Sequence, residues 1–171
     1  MFKKIKETIK SLRPKTPQPD PKVSIRPADI HDILPVTLLW AKMTEEVFDN
    51  FTKLDKVELD KFSFAMADRL RMPHTFTQIA EDKGKAIGFI HGYIDIRPYG
   101  KPEKIAFCEC LYVEQEYRDG EIAKKLIDIF IGWAKMNQLP IEFLTKFDPA
   151  LINFWDKYQA KPYSIIFRRE K

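Results

Sequence analysis

The sequence predicts one domain of the α/β class, mixed α+β in type, with a mixed central β-sheet flanked by helices. Two helical stretches before residue 72 lead into three strand-like runs joined by short turns, which is the pattern of a meander. After the meander the chain alternates helix, strand, helix, strand, which lays helices against a sheet. At 171 residues and 44% hydrophobic, the chain is long enough for one core and short for two.

Each element has its own signal. Val23-Ser24-Ile25-Arg26 alternates and predicts a first strand, stopped by Pro27-Ala28-Asp29. Asp29 or Asp32 is placed to cap a helix through Ile33, Leu34, Val36, Leu38, Leu39, Trp40 and Met43 toward Phe48. A second helix is predicted over Val57–Met72, its apolar face supplied by Leu59, Phe62, Phe64, Ala65, Met66 and Leu70, with Pro73 closing it. Strands follow at Thr75–Ala80, Lys85–Ile96 and Lys104–Val113. The first turn, Glu81-Asp82-Lys83-Gly84, puts glycine where a positive φ is needed. A helix over Ile122–Asn137 presents Ile122, Leu126, Ile129, Phe130 and Trp133 on one side. A strand at Ile141–Lys146, a helix at Pro149–Gln159 and a strand at Tyr163–Arg168 complete the domain.

The charge is unevenly placed. Residues 1–22 carry seven basic and two acidic side chains, a net +5, while the whole chain is +4; residues 23–171 therefore sum to −1. The basic character belongs to this tail, so the domain is not expected to bind nucleic acid specifically. Phe2, Ile5, Ile9 and Leu12 form one apolar stripe among lysines, and four prolines between Pro14 and Pro21 make a stiff spacer. Two readings of the tail stay open, a helix that docks on a partner protein or an anionic surface and a frayed basic terminus. The domain is expected to occupy residues 23–171. No run approaches the roughly 18 apolar residues of a membrane span, and no apolar segment follows Met1-Phe2-Lys3-Lys4, so neither a span nor a secretory signal is expected.

Cys108 and Cys110 sit two apart on a strand, which puts them on one face and out of geometry for bonding to each other. They read as reduced core residues, and a cytoplasmic location follows as the expectation. No spacing of His, Cys and carboxylates points to a metal. His91 is read either as a satisfied sheet histidine or as a base facing a cleft, and His31 and His74 as surface or capping residues.

The informative segment is Leu111-Tyr112-Val113-Glu114-Gln115-Glu116-Tyr117-Arg118-Asp119-Gly120-Glu121-Ile122-Ala123-Lys124. A strand enters a tight loop, and the loop opens a helix whose first amides lack intrahelical partners, a natural seat for a pyrophosphate. This resembles the acyl-CoA-binding R-x-x-G-x-G/A motif of the GNAT N-acetyltransferases. Ile25-Arg26-Pro27-Ala28 with Asp32 is similar to that family's opening strand and first helix. Lys85 to Ile90 is similar to its third strand, and Asp148 to Lys157 to its late N-x-x-A-x-x-x-Y-x-K helix. The resemblance covers residues 23–169.

It implies transfer of an acetyl group from acetyl-CoA, as co-substrate, to a primary amine of a small molecule or a protein. Leu111, Tyr112 and Val113 would offer their backbone to the pantetheine arm. The amides of Arg118, Asp119, Gly120, Glu121, Ile122, Ala123 and Lys124 would hold the pyrophosphate. Glu109, read as sharing a face with Leu111 and Val113, is the candidate general base. Two positions depart from the pattern. Glu121 stands where glycine is expected, three residues after Arg118, with Gly120 one residue early. Trp155 stands where a tyrosine acid is frequent, and an indole has no proton to give at neutral pH. Tyr158, one helical turn on, is the candidate substitute. The departures keep a second function open, a GNAT-fold protein that has lost catalysis and serves as a tail-tethered binding or structural component of a larger assembly.

Overall fold

The computed structural model describes residues 23–47, 56–97, 103–118, 121–145 and 149–161. The basic tail, its proline spacer, Asp119, Gly120, Asp148 and the strand expected at Tyr163–Arg168 lie outside the described residues. Strand β1 (Ser24–Pro27) leads through a 3-10 turn (Ile30–Asp32) into helices α1 (Ile33–Val47) and α2 (Lys56–Arg71). Strands β2 (Thr75–Asp82), β3 (Lys85–Arg97) and β4 (Glu103–Val113) follow. A second 3-10 turn (Gln115–Tyr117), α3 (Ile122–Met136), β5 (Ile141–Phe143) and α4 (Pro149–Asp156) complete the described chain. No helix among the described residues is long and apolar enough to cross a membrane.

The sheet order is the chain order, β1-β2-β3-β4-β5. The first four strands run antiparallel, and β5 lies parallel to β4 because α3 carries the chain back across the sheet. The β2–β3 turn is closed by Lys83 (φ 51°) and Gly84 (φ 79°), the paired positive φ values that match strand twist. The α1 start is fastened by a capping box: Asp29 accepts from the His31 amide at 2.8 Å, and Asp32 accepts from the Asp29 amide at 2.8 Å. Arg26 then forks onto Asp32 (2.6 and 2.8 Å) and Glu81 (2.7 and 3.1 Å), tying β1, the 3-10 turn and β2 together. The guanidinium holds the Asp32 carboxyl below its ordinary range.

Two apolar layers cover the sheet. On one face, Leu126, Ile127, Phe130 and Ala134 of α3 and Trp155 of α4 pack on Ile90, Ala106, Cys108 and Val113. On the other, Val36 and Leu39 of α1 and Met66 of α2 pack on Ile79, Phe89, Cys110 and Tyr112, with Trp40 stacked on Phe62 at 3.7 Å. Three sequence expectations are corrected here. Phe64, two residues past Phe62 and so on the far side of α2, is 75% exposed. The buried stripe of α3 takes Ile127, and Ile129 is exposed. Cys108 and Cys110 face opposite layers, both free and buried.

That last correction has a local cause. Opposite β4, His91 pairs with Cys110 and Gly92 with Cys108, so Glu109 is the extra residue of a β-bulge. The bulge resets the alternation: Ala106 and Cys108 face α3 before it, Leu111 and Val113 after it. Gly92, at the bulge, allows the close approach of α3. A Cβ there would lie 2.6 Å from the Phe130 ring and 2.4 Å from the Phe107 carbonyl oxygen.

Candidate active site

Strand β5 pairs with β4 only through Ala106–Cys108, after which the Leu144 amide makes one more bond to the Cys108 carbonyl at 2.9 Å. From Glu109 to Val113 the outer edge of β4 has no strand beside it among the described residues. The two strands part at the bulge, and the bulge carries a carboxylate.

Glu109 does not share a face with Leu111 and Val113. Its carboxylate turns toward α2, where Oε2 takes an ion pair from Arg69 of the last helical turn. Under Glu109 lies His91, fully buried, with Nδ1 bonded to Thr77 Oγ1 at 2.8 Å and Nε2 unpartnered at 3.8 Å from Glu109 Oε2. Burial, with the nearby Arg69 charge, lowers the His91 pKa to about 4, so the ring is neutral. His91 is therefore neither the satisfied sheet residue nor the open base of the two sequence readings. Arg69 also lies 6.0 Å from the Tyr93 ring, and Tyr93 packs on Phe107 at 5.5 Å. Beyond them Arg97 crosses Phe107 to pair with Glu142 of β5 and Asp95.

The loop after β4 is held by charge. Buried Glu114 pairs with Lys42 of α1 and, at 2.9 Å, with Lys85, which lower its pKa against the effect of burial. Its amide bonds to the Ile87 carbonyl at 2.8 Å. Arg118 donates from Nε to the Val113 carbonyl at 2.8 Å and pairs with Glu46 of α1, which also accepts from the Tyr112 hydroxyl at 2.6 Å. Tyr112 and Arg118 thus point their side chains toward α1, into a polar cavity of about 730 Å³. A neighbouring apolar cavity of about 560 Å³ is lined by Leu34, Leu38, Leu39 and Leu59. Neither cavity includes Glu109.

At the start of α3, Glu121 is the N-cap residue, with φ −84° and ψ 7°, and its side chain makes no capping bond. Its side chain therefore caps none of the amides of Ile122, Ala123 and Lys124. The Ile122 side chain is buried, Ala123 packs on the core and Lys124 pairs with Asp128 at 2.9 Å. Trp155 is buried, stacked on Phe143 at 4.3 Å, with Nε1 unpartnered. Tyr158 packs on Phe154 and Trp155 over the α3 layer; burial first, and then Asp128, raise its pKa.

The profile of the Acetyltransferase (GNAT) family matches residues 40–159. The chain belongs to the GNAT acetyltransferase family. Solved structures share the GNAT fold. A transcriptional regulator from Bacillus halodurans superposes with a TM-score of 0.71 at 15% identity, over 87% of this chain and 99% of that one. An acetyltransferase from Trypanosoma brucei gives 0.66 at 17% identity, over 88% and 100%. An aminoglycoside acetyltransferase from an uncultured soil metagenomic sample, in complex with sisomicin, gives 0.65 at 17%, over 87% and 96%. No curated protein matches the sequence.

Within this GNAT domain the sequence marked Glu109 and the β4–α3 loop but missed Arg69, Thr77 and Tyr93. Their ranks in three separate elements gave no local signal; Arg69 stands 40 residues from Glu109 in the chain.

Proposed function

We propose that the protein is an N-acetyltransferase that moves the acetyl group of acetyl-CoA to a primary amine, with Glu109 as general base. The observation that carries this reading is the carboxylate at the bulge, at the point where β4 and β5 part. The features a CoA thioester needs are compatible with the residues present. No strand lies beside the outer edge of Glu109–Val113 among the described residues, so that edge can face the pantetheine arm up to the Val113 carbonyl, which Arg118 already holds. The first amides of α3 carry no cap from Glu121. The amides of Arg118, Asp119 and Gly120 belong to the same proposed pyrophosphate seat, the last two outside the described residues.

In the reaction, the acceptor ammonium passes one proton to Glu109, and the nitrogen lone pair attacks the thioester carbonyl carbon. The C–S bond breaks as the nitrogen loses its second proton to solvent and Tyr158 protonates the departing sulfur; the proton held on Glu109 then returns through solvent to the Tyr158 oxygen. Amide and free thiol are the products, with one proton released net. The Tyr158 phenol is protonated at neutral pH, and burial raises its pKa further. Trp155 takes no proton-transfer role, since its indole is closed into the core against Phe143.

A second reading, a GNAT-fold protein without catalysis, rests on Glu121, whose charge stands at the mouth of the pyrophosphate seat. Calorimetric titration with acetyl-CoA at moderate salt separates the two. Saturable micromolar binding at one site supports the transferase. No heat and no thermal stabilisation at millimolar acetyl-CoA overturns it in favour of the binding module, and the tail then becomes the region to probe with partner proteins and anionic vesicles.

A further inference from the structure

We infer that the acceptor is a zwitterion, an amine that carries a carboxylate close by, as in a free amino acid. The inference rests on the transferase reading above and names its substrate class.

The base is not alone. Glu109 and Arg69 form a partly exposed pair, with side chains 24% and 35% exposed, at the mouth where the strands part. An incoming cation must either displace the guanidinium from Glu109 or sit beside it and be repelled. Arg97, farther along the same face, is already paired with Glu142 and Asp95 and adds no free cation. The guanidinium beside Glu109 therefore opposes a second bare cation at the base itself. A zwitterion meets the pair with the opposite order of charges: its ammonium takes Glu109 while its carboxylate takes the Arg69 fork. Each protein charge then exchanges one partner for another, and no charge is left unpaired. The arrangement also sets the geometry of the attack. Holding the carboxylate on Arg69 fixes the nitrogen beside the Glu109 oxygen that removes its proton.

His91 is the independent observation. Its Nε2 is fully buried, lacks a partner and lies 3.8 Å from Glu109 Oε2. A buried orphan of this kind is costly unless a group arrives to meet it. In the tautomer in which the Thr77 hydroxyl donates to Nδ1, the Nε2 proton faces Glu109 Oε2 and the carboxylate side of the site. Being neutral, the ring serves an anionic oxygen without adding a cation that would repel the ammonium. Tyr93 and Phe107 extend the floor with aromatic surface.

The test is an acetyl-CoA-dependent thiol-release assay on the full chain. The probes are the free α-amino acids, their matching carboxamides, and 1,4-diaminobutane as a carboxylate-free amine. At least one amino acid should exceed its carboxamide in kcat/KM by tenfold or more. In Arg69→Gln, KM for that acid should rise at least tenfold and the acid-to-carboxamide ratio should fall to within about threefold of unity. Thermal melting of the variant checks that it is folded. Equal or faster turnover of the carboxamides or the diamine overturns the inference while leaving the transferase reading intact. So does tight acetyl-CoA binding with no turnover of any amino acid. Failure of acetyl-CoA to bind at all overturns the transferase reading itself.

Discussion

The two halves of β4 are built from similar residues and do different work. From Glu103 to Cys108 the strand is paired with β3 throughout and, over its last three residues, with β5 as well. From Glu109 to Val113 it keeps β3 but loses β5, and its side chains step to the other register. One inserted residue separates a structural half from an available half. Buried backbone groups nearly always find partners, so an edge with no strand beside it among the described residues marks where something else can lie. The paired half should therefore respond to mutation in stability, and the open half in chemistry.

The largest effect expected is in the open half. Glu109→Gln keeps an oxygen for Arg69 but removes the proton acceptor, and kcat/KM should drop about a hundredfold or more. The melting temperature and the acetyl-CoA affinity should stay near wild type, checked by thermal denaturation and calorimetry. Activity within threefold of wild type would remove Glu109 from the mechanism. In the paired half, Gly92→Ala forces a methyl against Phe130 and the Phe107 carbonyl. Overpacking of this kind costs about 1–3 kcal/mol, and denaturant unfolding measures it. If Gly92→Ala instead left stability unchanged and abolished acetyl-CoA binding, the division between the halves would be wrongly drawn.

Most of the fold was legible because its signals are periodic. Turn residues bounded the three central strands, and the Lys83-Gly84 turn was written in its glycine. The helix stripes were read nearly as they pack, with Phe64 and Ile129 misassigned because an apolar side chain at a solvent-facing position leaves no mark. The bulge was not legible. Nothing in Cys-Glu-Cys says that Glu109 is the unpaired residue, since a bulge is decided by the register of two strands. The same insertion that misled the reading of Cys108 and Cys110 turns Glu109 from the α3 side to Arg69. The charge cluster joins α2, β2, β3 and β4, and sequence carries no local trace of such a meeting.

The open half also carries a pH signature. His91 has a folded pKa of about 4, below the ordinary 6.5. The unfolded chain therefore takes its proton first, and stability falls as pH drops from about 6.5 toward 4. Between pH 7.5 and 5 this one ring should cost about 2 kcal/mol. His91→Gln should flatten that slope by a similar amount in urea titrations, whatever it does to stability at neutral pH. Asp32, lowered by Arg26, acts in a lower window: its contribution is present above the ordinary aspartate range and lost as pH falls through the folded value. A slope unchanged in His91→Gln would place the titration elsewhere.

The smallest effect expected lies at the far end of the open half, where Glu121 stands before α3. Its backbone, at φ −84° and ψ 7°, is one any residue adopts, so glycine is not required there for conformation. What remains against it is charge and bulk. A carboxylate at a helix start is favourable by about 0.3–1 kcal/mol in the free protein, and the same charge opposes a pyrophosphate on the same amides. Glu121→Gln should thus tighten acetyl-CoA about two- to fivefold at moderate salt, while lowering the stability of the free protein slightly. Glu121→Gly should tighten it somewhat more, because it removes the bulk as well. The gain should shrink as salt rises, since an exposed charge is screened within about 10 Å at 0.1 M. Calorimetry of the two variants at two salt concentrations distinguishes the contributions. If both bind as wild type does, the Glu121 side chain stands clear of the ligand, and the departure from the family pattern at this position carries no penalty for binding.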